Sequence, residues 1–149
     1  RDRCSYWCGY FNAFFREIAS RHADIDAVLS CSQDINQFRK ESVIPTSVWL
    51  KSFGVVSKIL MMHAIETKAP NIDWSILDGI TNIDFSVKNP EWIGRCLSMQ
   101  GKFEDRSYNH LAVAAYLLKG ARISLPDVVV NAESKVQESR AQLQLEISR

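Results

Sequence analysis

The chain lacks an excess of charge of either sign. Eighteen Lys and Arg stand against 17 Asp and Glu among 149 residues, leaving a formal net charge of +1. A dedicated nucleic-acid module is ordinarily far more basic along its whole length, so only a local basic patch is compatible with DNA contact. No apolar run reaches the ~18 residues needed to span a bilayer. The longest candidate, VVSKILMMHAI, is interrupted by Lys58 and His63. Cys4, Cys8, Cys31 and Cys96 show no paired spacing of a disulfide framework, and nothing at the start reads as a secretory signal. A reduced, cytoplasmic protein without a membrane partner is the expectation. There is no glycine-flanked serine elbow, no phosphate-cradling glycine loop and no HExxH pair. No catalytic residue, metal ligand or cofactor is therefore assigned, and the chain itself is not expected to be an enzyme. Internal repeats and low-complexity segments are also missing.

What is present is helical. The apolar share of 46% is that of a globular protein, and the length suits one domain over residues 1–149. Tyr6, Tyr10, Phe14 and Ile18 recur at helical spacing, with Phe11 and Phe15 making an aromatic helix that should be mostly buried. Asp24 should cap a short helix ending near Leu29, and another short helix should run from about Asp34 to Ser42. The longest helix is expected from Thr46 or Ser47 to about Thr67. It is apolar over much of its circumference and therefore central. Gly54 within it costs ~1 kcal/mol of helix propensity, which suggests a close helix crossing. A turn of helix should surround Trp74, and an amphipathic last helix should cover about residues 132–148, with Val136, Leu143, Leu145 and Ile147 opposite Glu133, Lys135, Glu138, Arg140 and Glu146. Only IDFSV and DVVVN qualify as short strands. The predicted fold is all-α, a compact bundle of about six to eight helices.

Residues 82–118, NIDFSVKNPEWIGRCLSMQGKFEDRSYNHLAVAAYLL, hold the most demanding side-chain choices. Asn89-Pro90 is a strong helix start, since Asn caps free N–H groups and proline at the first helical position lacks none that was needed. Gly101-Lys102 should break the chain before a second helix, capped by Ser107 and closed by Gly120. Arg95, Lys102, Arg106, Lys119 and Arg122, with Lys88, outnumber Glu91, Glu104 and Asp105 here. They form the best candidate phosphate-binding patch, to which the helix starts could add backbone donors. A solvated face with local ion pairs is the competing reading, in which Glu91 or Asp84 pins Arg95. Asp73, Asp78 and Asp84 read as capping and turn carboxylates. The cysteines read as buried structural thiols, although Cys4 and Cys8 would share a helix face. Trp7, Trp49, Trp74 and Trp92 read as core anchors.

These motifs resemble a family. Ile83-Asp84-Phe85-Ser86, Asn89-Pro90-Glu91-Trp92-Ile93-Gly94-Arg95, Gly101-Lys102 and Asn109 follow, in order, the C-terminal signature of DndB proteins of DNA phosphorothioation (sulfur-modification) systems, which carry a DGQHR domain. Phe38-Arg39 and the helix with Gly54 extend the resemblance over residues 35–120. Ser57 replaces a second family glycine, and Glu104-Asp105 stands near the place of a Ser-Lys pair. The resemblance implies structural roles for Asp84, Asn89, Pro90, Trp92, Gly94, Gly101 and Asn109. It further implies a DNA-binding, regulatory parent acting in bacterial DNA modification and defence. The Asp-Gly-Gln-His-Arg motif is absent, only Asp78-Gly79 sharing letters with it, and the first methionine is Met61. The chain is thus expected to be the C-terminal part of a longer protein. Its implied partners are DNA, an N-terminal DGQHR-type domain of the same chain and a second copy of itself. A structural or protein-interaction module without DNA contact is the alternative, and a parent with an upstream nuclease or ATPase site is a third.

Overall fold

A computed structural model describes residues 3–147, apart from the side chains of Arg3, Cys4, Leu143, Glu146 and Ile147. Expectations resting on those side chains, and on a last helix reaching Ser148, lie outside the described residues. The elements are α1 (Arg3–Ala19), α2 (Ala23–Leu29), α3 (Ile35–Phe38), α4 (Ser47–Glu66), α5 (Asn109–Leu117) and α6 (Asp127–Ile147). Two 3-10 helices, Trp74–Asn82 and Pro90–Trp92, lie between α4 and α5. The fold is all-α, as the periodicity requires, with isolated bridges as the only described β pairing.

The caps explain most of the boundaries. The Asp34 carboxylate accepts from Asn36 N–H at 2.8 Å and opens α3. Asp73 does the same for the Trp74–Asn82 helix, accepting from Ser75 N–H at 3.0 Å. His22, not Asp24, caps α2: its Nδ1 accepts from Asp24 N–H at 3.2 Å. Tyr108, not Ser107, precedes α5, and its side chain makes no capping bond. α6 starts at Asp127, directly after Pro126, so the DVVVN segment is helical and not a strand. Proline fixes the entry to the helix, and Val129, Ala132 and Val136 continue a buried stripe at helical spacing. The IDFSV segment stays extended without forming a strand, bridging Ser86 to Ser42.

The centre of the bundle is α5. It packs against both α4 and α6. Its Ala112, Ala114 and Ala115 are buried along with Val113 and Leu117. Small side chains let two neighbours approach one short helix, which is why α5, shorter than α4, takes the central place. The buried face of α4 carries Val48, Trp49, Phe53, Val56, Ile59 and Leu60. By length and composition α4 is the one described helix able to cross a membrane, because no more than two charged side chains fall in an 18-residue stretch of it. Here those apolar residues join the shared core. Gly54 is exposed and a Cβ there would meet nothing within 4 Å, so no helix crosses at it.

α1 departs most from expectation. Tyr10, Phe14 and Ile18 are buried, with Tyr10 Oη donating to the Ser57 carbonyl at 2.7 Å. Tyr6, Trp7 and Phe11 remain exposed in a run of edge-to-face and tilted ring contacts. Spacing put them on a helix; it could not tell which neighbour would cover them.

Candidate nucleic-acid interface

The signature segment folds into a hydrogen-bonded knot around Trp92. Asp84 Oδ1 accepts from Ser86 N–H at 2.8 Å, closing an Asx turn. The Asp84 carbonyl then accepts twice, from Asn89 Nδ2 at 2.7 Å and from Trp92 Nε1 at 3.0 Å. Asn89 Oδ1 caps the next turn by accepting from Glu91 N–H at 3.0 Å, and Pro90 fills its first position. The Asn-Pro start is therefore real, but the helix lasts only through Trp92 because Ile93 is extended and Gly94 turns to φ +81°. Glycine is favoured at 94 because the backbone there is left-handed; a Cβ would lie 3.4 Å from Val136 Cγ1 of α6, the distance of an ordinary contact.

Trp92 is fully buried. Its ring stacks on Phe85 at 5.9 Å and meets Trp49 and Tyr116 edge-on at 5.2 and 5.1 Å. Trp49 is buried with it, whereas Trp7 is exposed and Trp74 half-buried, so the tryptophans do not share one role. Cys96 is also buried, and burial pushes its thiol up to about 12, leaving it protonated and inert at neutral pH. Cys8 and Cys31 are exposed, contrary to the reading of the cysteines as buried. Asn109 is buried at the start of α5 and donates from Nδ2 to the Glu104 carbonyl at 2.9 Å.

Arg95 does not stand on a basic surface. Its side chain is 1% exposed. Nε and Nη2 make a two-pronged ion pair with Glu133 of α6, and Nη1 donates to the Glu91 carboxylate at 2.9 Å and to the Glu91 carbonyl. The guanidinium also lies 4.5 Å from the centre of the Tyr116 ring. Arg140 of α6 completes the network with two bonds to Glu91, at 2.9 and 3.3 Å. That pairing, ahead of the Arg95 charge, holds the Glu91 carboxyl below its ordinary range despite partial burial. Arg95 thus fastens the signature segment to α6 through Glu91 and Glu133, while Asp84 takes no part. Sequence reading put Glu133 and Arg140 on a charged helix face and did not connect them to Arg95. Their spacing of seven, two turns of one face, was the available signal.

The other basic residues are exposed. Lys102 sits in a tight turn in which Ser98 N–H donates to the Lys102 carbonyl at 2.8 Å. Ser98 Oγ accepts from both Gln100 and Lys102 N–H. Gly101 in this turn has φ +73°. Arg106 pairs with Glu104 at 3.1 Å and lines a concavity of about 240 Å³. Lys119 follows α5, its ammonium 5.7 Å from the Tyr116 ring centre. With Arg122 it borders a second concavity, of about 450 Å³, shared with His63, Asp73 and Asp78. Lys88 is exposed beside the Asn89 cap. Of the six basic residues drawn together from the sequence, Arg95 is therefore buried, and Lys88, Lys102, Arg106, Lys119 and Arg122 are exposed.

The carboxylates have local duties. Asp73 accepts from the N–H and the hydroxyl of Ser75, which holds its pKa low, and Asp78 pairs with Arg21 at 3.1 Å. Asp105 accepts from Lys51 at 2.7 Å and from Ser47 at 2.9 Å. Among the described residues no group of three or more His, Cys, Asp or Glu side chains is placed to hold a metal ion.

No curated protein and no solved structure gives a significant match to this chain. A family model does, and it reaches beyond the signature, taking in α1 through the turn after α5. Matched over residues 6–124, the chain belongs to the DndB family, described as DNA-sulfur modification-associated.

Proposed function

We propose that this chain is the helical C-terminal region of a DndB-like protein of a DNA phosphorothioation system, one that binds DNA and regulates transcription. The family match over residues 6–124 is the observation that carries the reading. Within the parent, the chain serves as a rigid helical body beside a DGQHR-type domain, and its own contribution is positional and not catalytic. Its knot of Asp84, Asn89, Trp92 and Arg95 is a folding device. DNA contact falls to the exposed cations Lys102, Arg106 and Lys119, which touch backbone phosphates without reading sequence.

The test is the salt dependence of duplex binding. Lys102→Ala with Lys119→Ala should weaken binding to all duplexes alike and lower the slope of log K against log salt by about 1–2, since each phosphate contact contributes roughly one unit. A slope unchanged by the double variant removes DNA from this chain. A second reading, a protein-interaction module without DNA contact, is favoured by the exposed Tyr6, Trp7 and Phe11 face of α1. Exposed aromatics grouped in this way are typical of interface anchors. That reading predicts loss of self-association on Trp7→Ala with duplex binding absent from the unaltered chain.

A further inference from the structure

Between the end of α5 and the outer half of α6 lies a concavity of about 250 Å³ lined by Glu91, Lys119, Gln137, Arg140, Ala141 and Gln144. The four α6 residues are spaced three, four and seven apart, which places them on one helix face. We infer that this concavity is a seat for a single phosphate of a nucleic-acid backbone, built from Lys119, Arg140 and the amides of Gln137 and Gln144. The inference deepens the DNA-binding reading above and rests on it for the source of the phosphate. It adds an element, α6, that begins at Asp127, past the residues matched to the family.

Charge is the first argument. Arg95, Arg140 and Lys119 stand against Glu91 and Glu133, and the ion pairs are Arg95 with both carboxylates and Arg140 with Glu91. The carboxylate in the seat is therefore already met by two guanidinium groups. Lys119 makes no ion pair among the described residues and lies over the Tyr116 ring, leaving the surplus positive charge at the mouth of the concavity.

Donor capacity is the second. A guanidinium has five N–H groups, and a primary amide has two. Arg140 uses Nη1 and Nη2 on Glu91 through one bond each, and Gln137 uses one bond, from Nε2 to Glu133 Oε1 at 2.6 Å. N–H groups remain on both side chains beside an ammonium. Amide and guanidinium donors around a lysine are the side-chain types that hold phosphate oxygens. The larger concavity on the other side of Lys119 is a poorer seat, because Asp73 and Asp78 both border it and Asp73 has no cation paired to it among the described residues.

The experiment follows the side-chain amide NMR signals of Gln137 and Gln144 in the full chain during titration with inorganic phosphate, against chloride at matched ionic strength. It is paired with duplex binding by Gln137→Ala/Gln144→Ala and by Lys119→Ala. The expected result is a saturable shift of both amides with phosphate only, lost in Lys119→Ala. The glutamine double variant should weaken duplex binding about 10-fold or more, the range of a hydrogen bond to a charged group, at an unchanged salt slope. Lys119→Ala should lower that slope by about one unit. Amides that respond to chloride as to phosphate, or do not respond, overturn the seat even if the chain binds duplex. A phosphate-specific shift in a chain that binds no duplex upholds the seat and overturns the DNA-binding reading instead.

Discussion

At the scale of single residues, the signature is explained by what each side chain satisfies. Trp92 fills the junction of Phe85, Trp49 and Tyr116 and also supplies a donor to the Asp84 carbonyl. Trp92→Ala should cost ~3–5 kcal/mol, the range for truncating a large buried aromatic. Trp92→Phe should recover most of that, since Asn89 still donates to Asp84. Denaturant midpoints of the two variants check this; equal losses would mean that the indole N–H and not the ring volume dominates. Trp92 was legible in the sequence because a helical aromatic with apolar neighbours normally packs inward, although the same rule misplaced the exposed Trp7. Arg95 was not. An arginine's charge is visible in a sequence, but its burial depends on which carboxylates the fold delivers, and Glu133 arrives from 38 positions away.

At the scale of elements, α6 is held by an apolar stripe and by the Arg95–Glu91–Arg140 and Arg95–Glu133 pairs. Glu91 is the titratable hinge of that network. Its folded-state pKa lies below its ordinary value of 4.5, so just below pH 4.5 the folded chain binds fewer protons than the unfolded one. Its contribution is complete above that value and is lost as pH falls through the folded pKa. Glu91→Gln should therefore be less stable than the unaltered chain at pH 7, with the gap narrowing toward pH 3. Thermal melts across that interval check it, and a constant gap would mean that Glu91 acts only through packing. Caps at Asp73 and Asn89 were readable from local sequence, whereas the cap at His22, its partner equally two residues away, was not. Nor was the length of the Pro90 helix: Asn-Pro marks a start, whereas the end lies at the extended Ile93 and the left-handed Gly94.

At the scale of the whole molecule, the all-α class followed from periodicity, which is a local property. Which helix is central did not. The choice of α5 over the longer α4 comes from alanines that gain importance only when two neighbours meet over them. Arg95 was grouped with the exposed cations for the same reason: nearness in sequence joined it to them, and the fold sets it in the core. The signature segment builds the body of the bundle and ties α6 to it, with Arg95 as the tie. The most direct measurement is the unfolding free energy of Arg95→Ala. The predicted loss is about 3 kcal/mol, the low end for breaking a buried ion pair, because Glu91 and Glu133 keep part of their hydration. A variant within roughly 0.5 kcal/mol of the unaltered chain, as for an ordinary surface substitution, would contradict it.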